Sequence, residues 1–428
     1  MKKLIKIATL VLSVCFAGQI AFAAGFGLYE FSARGNAMGG AVLAGEAEPA
    51  SLALNPALIT QLPGKQVQLS ATLVTAKIDD VDYGPYRTST DRQWWPLPAL
   101  YYTQQVGEKW WLGLGAFTRF GLSNTYPDKG WTLSPSGKSG SLNHVGVVTY
   151  TIQPTVAYQA TDRFSVAAGV EIQYLNFTEK VRFGTPSTTY ADLNLDGDSY
   201  SASGMIAFFY NANEKVNFGG SFRMRNDHSV RGPQKYDYVN PAVSPMFVQG
   251  GDFWGDITFP AQLALGASYK PTDKWLFEFN WTNIFWSCFK SVNIFFDNVP
   301  GKAGGGEDLL GTREGNMKEY QDSYRIGLGA EYTLNEKTKL RGSFIYDKSP
   351  LNDKFLDVML PADDRYIVGL GSGFDLGRNV LLDLSYNILF VQNLKGSSSV
   401  AVHDPEPVSV HYKSSISHLF GISVRYTF

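Results

Sequence analysis

The residues able to do chemistry are few in this chain, and their spacing supports little of it. His144, His228, His403, His411 and His418 show no metal-ligand spacing, and the two cysteines, Cys15 and Cys288, complete no zinc set with them. A hydrolase of the Ser-His type needs an orienting third group. His144 and His418 fall on candidate strands, but nothing in the sequence pairs either with a nucleophile. The run Asp192-Leu193-Asn194-Leu195-Asp196-Gly197 opens like a calcium loop, yet Ser203 stands at the twelfth position, where a bidentate Glu belongs. It reads as solvated turn chemistry, with weak calcium binding as the alternative. Gly304-Gly305-Gly306 lacks the strand-loop-helix frame of a phosphate loop. No catalytic residue, metal or cofactor is assigned. A formal net charge of -2 leaves no basic footprint for nucleic acid.

The charges that stand out are instead single groups set at alternate positions within apolar runs: Glu171, Arg223, Arg225, Glu278, Arg325, Glu331, Arg341, Asp383 and Arg425. Both signs occur, so the expected chemistry is ion pairing across an interior. The elements that carry them have period two. In the last run, Ile416, His418, Phe420, Ile422, Val424, Tyr426 and Phe428 share one face, and Ser415, Ser417, Gly421, Ser423, Arg425 and Thr427 the other, with Leu419 the apolar exception. Tyr324, Ile326, Leu328, Ala330 and Tyr332 alternate in the same way with Arg325, Gly327, Gly329 and Glu331. Strands with one oily and one wet side produce this pattern.

Six short polar turns recur between these runs, at Gly107-Glu108-Lys109, Thr161-Asp162-Arg163, Asn213-Glu214-Lys215, Thr272-Asp273-Lys274, Asn335-Glu336-Lys337 and Leu376-Gly377-Arg378. Seven longer polar stretches separate them, at roughly 78–96, 122–140, 183–198, 231–254, 294–319, 349–363 and 393–411. Together they predict an all-β fold, a 14-stranded antiparallel transmembrane β-barrel over residues 65–428. Mean hydropathy is only -0.12, as expected when lipid-facing and lumen-facing residues alternate. A charge on the lipid face would cost roughly 2–4 kcal/mol at the midplane, which assigns the charged face to the lumen.

The first 64 residues follow other rules. Lys2, Lys3 and Lys6 precede an apolar stretch from Ile7 to Phe16 and the small-residue site Ala21-Phe22-Ala23. Residues 1–23 read as a secretory signal peptide. That leaves Cys288 as the one mature cysteine, so no internal disulfide is possible. Residues 24–64 do not alternate and are rich in Ala and Gly, with Asn55-Pro56 and Pro63-Gly64 as breakers. Small residues suit close packing, which favours a plug inside the lumen.

The order of several motifs then resembles the FadL family of outer-membrane transporters for long-chain fatty acids and other hydrophobic compounds. Ala24-Gly25-Phe26, Glu30-Phe31-Ser32 and Asn55-Pro56-Ala57-Leu58-Ile59 resemble its N-terminal hatch. Thr118-Arg119-Phe120-Gly121-Leu122 resembles its kinked third strand, and Glu179-Lys180-Val181-Arg182-Phe183-Gly184 the end of its fifth. Trp286-Ser287-Cys288-Phe289, Asp322-Ser323-Tyr324-Arg325-Ile326 and Leu360-Pro361-Ala362-Asp363-Asp364-Arg365 continue the series. The resemblance implies a passive route without ATP, metal or redox cofactor. Cargo would land on extracellular loops, here with Phe247 and Trp254, and pass to an inner pocket with Phe26, Thr118, Phe120 and Arg182. Arg182 would meet a ligand carboxylate, and the family's second basic position falls near Asn316, with Arg313 and Lys318 beside it. Gly25, Glu30, Asn55, Pro56 and Ala57 would form the gate, and Phe120 and Gly121 the kink of a lateral opening. The terminal Phe428 implies handling by the barrel-assembly machinery in a setting of outer-membrane lipid and lipopolysaccharide, and a monomer is expected because no pairing motif appears. Two alternatives stay open: the same route for aromatic or alkane hydrocarbons, and a polar-solute porin or adhesin, which should lack the plug.

Overall fold

The computed structural model describes residues 27–127, 141–185, 188–239, 250–297, 313–356, 359, 363–398 and 408–428. The expected signal peptide and the sites expected at Gly25, Phe26 and Phe247 lie outside these residues.

Fourteen antiparallel wall strands form one closed sheet. In chain order they are β1 (Lys65–Ala76), β2 (Gln93–Gln105), β3 (Trp110–Phe117 and Gly121–Thr125), β4 (Ser141–Thr161), β5 (Phe164–Thr185), β6 (Thr188–Asn213) and β7 (Val216–Arg223 and Asn226–Val239). The second half comprises β8 (Asp252–Phe259 and Gln262–Thr272), β9 (Trp275–Ile284 and Ser291–Phe296), β10 (Arg313–Met317 and Ser323–Asn335), β11 (Thr338–Asp347), β12 (Arg365–Asp375), β13 (Val380–Val391) and β14 (Ser415–Thr427). Each pairs with the next, and the seam closes where β14 pairs with β1, Gln66 opposite Thr427 through Thr75 opposite His418. Closure removes the unpaired edges an open sheet would expose. A small four-stranded sheet caps one end, built from Val81–Tyr83, Tyr86–Thr88, Leu394–Ser398 and Val408–Tyr412.

The alternation holds in three dimensions. Ile416, Phe420, Ile422 and Phe428 are exposed on the outer face of β14, while Ser415, Ser417 and Ser423 are buried inside. The exception Leu419 has a reason: it points inward into an apolar cluster with Leu28, Trp95 and Leu97. Two loops expected from the sequence are shorter than read. Residues 183–185 and 188–198 belong to the long strands β5 and β6, and Asp192 to Asp196 lie on β6 with Leu193 and Leu195 buried. Trp254 likewise sits within β8 rather than on a loop, half-exposed and stacked on Phe295.

Residues 27–64 pack within the barrel and carry one short helix, α1 (Ala33–Ala37), and two 3-10 turns, Pro49–Ala53 and Pro56–Gln61. Small residues allow this close fit on both sides. A Cβ at Gly219 of β7 would overlap the Leu43 carbonyl, and one at Gly329 of β10 would press on that of Met38.

Candidate functional site

The lumen is layered from polar to apolar. In the lower part, side chains of the wall hold the hatch by hydrogen bonds to its backbone. Asn55, fully buried, caps the turn that Pro56 begins by accepting from the Ala57 N–H (3.1 Å), and its amide donates to Leu43 O (2.7 Å) and Phe208 O (2.9 Å). Glu278 accepts from the N–H groups of Leu43 (2.5 Å) and Ala44 (2.7 Å). Asn280 donates to Gly40 O (2.6 Å), Ser221 to Leu54 O (2.6 Å), Gln153 to Leu52 O (2.8 Å) and Trp111 to Leu62 O (2.8 Å). Ser32, the N-cap of α1, donates to Glu48 (2.6 Å), and Arg34 pairs with Glu331. An irregular backbone without ladder partners must be satisfied somewhere, and the barrel wall does it.

The expected ion pairing occurs above and around this plug. Arg119 and Arg223 share Glu171, and Arg223 also donates to the hatch carbonyls of Ala53 (2.7 Å) and Leu52 (3.2 Å). Arg325 and Arg365 share Asp347. Arg341 joins Glu331 to Asp383. Arg225 departs from the expected lumen face. Strand β7 is interrupted at Met224 and Arg225, and the guanidinium turns out to solvent beside Asp227.

Above the charged layer the interior is aromatic. Phe120, fully buried, stacks on Phe259 at 4.2 Å between ring centroids and meets the edge of Trp286. The single 3-10 turn Trp286–Cys288 interrupts β9 and delivers Trp286 inward, against Phe289 and Tyr320. Cys288 itself is half-buried. Burial pushes the phenols of Tyr126, Tyr320 and Tyr412 upward, so all three stay neutral. The Tyr320 hydroxyl has no hydrogen-bond partner among the described residues. Beside it Lys318 is almost completely buried, its Nζ 3.8 Å from the Met359 sulfur. Arg182 is partly exposed on the β5–β6 hairpin, and Asp192 already holds its guanidinium with two bonds of 2.7 and 2.8 Å.

A break in the wall adjoins this chamber. Between Phe117 and Gly121 the three residues Thr118, Arg119 and Phe120 of β3 oppose only Thr149 and Tyr150 of β4. One extra residue on one strand is a bulge, which bends the strand and ends pairing locally. On the other side, β2 pairs with β3 only from Leu100–Ala116 to Gln105–Trp111. The two strands meet again at the Asp91 N–H to Thr125 O bond (2.9 Å). The result is a window between residues 94–99 and the kink, closed above and below. Gly121 does not make the bend through glycine conformation: its φ is not positive, and it begins the resumed strand opposite Val148.

The start of the hatch stands in this window. Gly27 bridges Phe120, and the Leu28 N–H donates to Arg119 O (2.7 Å). Tyr29 lies under the Arg325 guanidinium at 4.5 Å, and Glu30 accepts from the Tyr29 N–H. The structure thus brings Thr118, Phe120 and the hatch start up to Glu30 together at the window, while Asn55, Pro56 and Ala57 lie lower, bonded to the wall and to the rest of the hatch. Arg182 and Trp254 lie apart from it, on the longer hairpin and on the outer face of β8. Lys318, named from the sequence only as a neighbour of the second basic position near Asn316, is distinguished here by its burial among aromatic rings.

Residues 14–428 match the family described as outer membrane protein transport protein (OMPP1/FadL/TodX). The 47 kDa outer membrane protein of Pasteurella multocida is 24% identical over 95% of both chains. The long-chain fatty acid transport protein of Salmonella typhi is 19% identical over 100% of this chain and 99% of its own. Among solved structures, a Pseudomonas aeruginosa FadL homologue superposes with a TM-score of 0.78 at 16% identity, over 94% of this chain and 99% of that one.

Proposed function

The chain belongs to the OMPP1/FadL/TodX family of outer membrane transport proteins for hydrophobic compounds, and we propose that it takes up long-chain fatty acids passively and releases them sideways through the window in its wall. The observation that carries this reading is the contact of Gly27 and Leu28 with Phe120 and Arg119. It puts the start of the hatch in the only interruption between β2 and β3, next to an aromatic chamber that suits an acyl chain.

A straight path to the periplasm is disfavoured by the same structure. From Phe31 to Leu62 the hatch is bonded to the wall through its backbone, whereas residues 27–29 rest on one backbone bond, one bridge and side-chain contacts. Motion confined to residues 27–30, ending at Glu30, opens the window at far smaller cost than unseating Asn55, Pro56 and Ala57. Trp254, on the outer face of β8, is set aside as a landing residue, and Phe247 is the landing residue proposed for the outer loop. Phe428 is exposed at the seam, its N–H bonded to Lys65 O, where the assembly machinery can grip it. The barrel acts as a monomer.

Cargo chemistry rests on Lys318 and Tyr320. An ammonium and a phenol with no hydrogen-bond partner among the described residues, beside a greasy chamber, fit a carboxylate headgroup, which a hydrocarbon would not need. Arg182 is the outer cation of the pair. One observation favours neutral hydrocarbons instead: Asp192 already occupies the Arg182 fork. Uptake of oleate and of toluene into liposomes, with wild type, Arg182→Ala and Lys318→Met, separates the readings. Loss of oleate uptake in Lys318→Met with toluene unchanged supports the fatty-acid route. Toluene uptake indifferent to both substitutions, without saturable oleate uptake, moves the cargo to hydrocarbons. Salt conductance with neither uptake would leave a porin.

A further inference from the structure

We propose that Pro96 and Pro98 hold the wall window open by removing the donors that would let its two rims pair; this rests on the lateral-exit reading above. Within a strand, the N–H and C=O of one residue point to the same neighbour, and those of the next residue to the other. The bond from the Gln105 N–H to Gly64 O (2.8 Å) shows that odd-numbered residues of β2 face β1. The bond from the Val106 N–H to Trp110 O (2.9 Å) shows that even-numbered ones face β3. Gln104, Tyr102 and Leu100 follow that rule opposite Leu112, Leu114 and Ala116. The next two positions on the same edge are Pro98 and Pro96, and there the pairing stops.

The coincidence has a physical basis. Proline has no N–H and is confined in sheets to unpaired edges. Residues 97 and 99 on the β1 side keep their register opposite Thr72 and Ser70, so β2 remains anchored on one side only. The rim facing the window offers carbonyl acceptors at 96 and 98 and no donor at either. The opposite rim has its Arg119 carbonyl held by the Leu28 N–H. When the start of the hatch withdraws, that carbonyl loses its partner, and an ordinary rim could zip onto it. A rim without donors at 96 and 98 cannot do so there. The six residues 94–99 leave a gap of about 20 Å along the strand. Its surroundings are apolar on both sides of the wall: Trp95 and Leu97 are buried beside Leu28, and Trp94 is exposed outside.

The test is the Pro96→Ala/Pro98→Ala double variant, which restores both N–H groups, with Pro154→Ala as the control for a proline elsewhere in the wall. Oleate binding to the detergent-solubilised barrel and oleate uptake by proteoliposomes are measured together with amide exchange at positions 96 and 98. Two ordinary backbone bonds correspond to roughly tenfold or more in the open-to-closed balance. The expected result is oleate binding within twofold of wild type, uptake about tenfold slower, slow exchange at the new amides, and an unchanged Pro154→Ala. Wild-type uptake rates in the double variant, or fast-exchanging amides at both positions, would overturn the role of the prolines and leave the lateral route standing. Absence of uptake in the wild type would instead sink the transport reading itself. If the double variant does not fold, Pro98→Ala alone is expected to slow uptake about threefold, and an unchanged rate there overturns the proposal.

Discussion

Arg223 is one of the wall residues that grip the middle of the hatch, with Ser221 and Gln153, and replacing it by alanine should loosen that region alone. The side chain is 4% exposed and donates to Ala53 O, Leu52 O, Gln153 Oε1 (2.9 Å) and Glu171. Its loss leaves Glu171 paired with Arg119, so no buried carboxylate is stranded. The Ala53 carbonyl and Gln153 Oε1 lose their donor, each worth about 1–3 kcal/mol when buried, while Leu52 O keeps its bond from Gln153. Because the cavity can admit water, the lower half of that range applies to each, and a local cost of about 3 kcal/mol is expected. That corresponds to roughly a hundredfold in the local opening equilibrium. Amide exchange in detergent reads it directly. The N–H groups of Leu54 and Asn55, both held by Ser51 O, should exchange about a hundredfold faster. The N–H of Gly40, held by Gly35 O on the other side of the hatch, should be unchanged. Equal acceleration at all three sites would mean that the hatch opens as one unit. No acceleration at Leu54 would mean that Arg223 does not restrain it. Either result refutes the reasoning.

Three further outcomes follow from the same geometry. Phe120→Ala removes a ring that is fully buried against Phe259 and should cost about 3–5 kcal/mol of stability, seen as an earlier unfolding midpoint in urea. The same variant should let salt leak through the window in bilayer conductance, whereas Phe259→Ala, further from the kink, should leak less. Arg182→Ala should weaken saturable oleate uptake by only a few fold, since Asp192 competes for the same fork, while Lys318→Met should weaken it more than tenfold. Binding isotherms on the two variants check the order.

The strand pattern was legible because each wall residue meets one of two solvents, oil or interior, and alternation records which. Even the exception at Leu419 carried information: it marks where the lumen turns apolar beside Leu28. Residues 192–198 were misjudged as a loop because Asp and Gly dominate them, although Leu193 and Leu195 already alternate there and are buried. The kink was located within a few residues, but its origin lies in the three-against-two mismatch with β4, which only the partner strand reveals. The hatch contacts were invisible for the same reason. Glu278 sits more than 200 residues from the N–H groups it holds, so its sequence neighbours say nothing of them. Lys318 was placed beside the second basic position near Asn316 by the sequence, but its burial next to Met359 shows only in the fold.

The central claim is that the start of the hatch gates a window in the wall, and a reversible crosslink tests it most directly. Gly27 and Phe120 are bridge partners on antiparallel segments, a spacing that suits a disulfide. The variant Gly27→Cys/Phe120→Cys, made with Cys288→Ser to leave no other mature thiol, is compared oxidised and reduced in proteoliposomes. The account predicts that oleate uptake stops on oxidation and returns on reduction, with the barrel folded in both states. Uptake at the same rate in the oxidised and reduced forms would show that cargo leaves by another path and would contradict it.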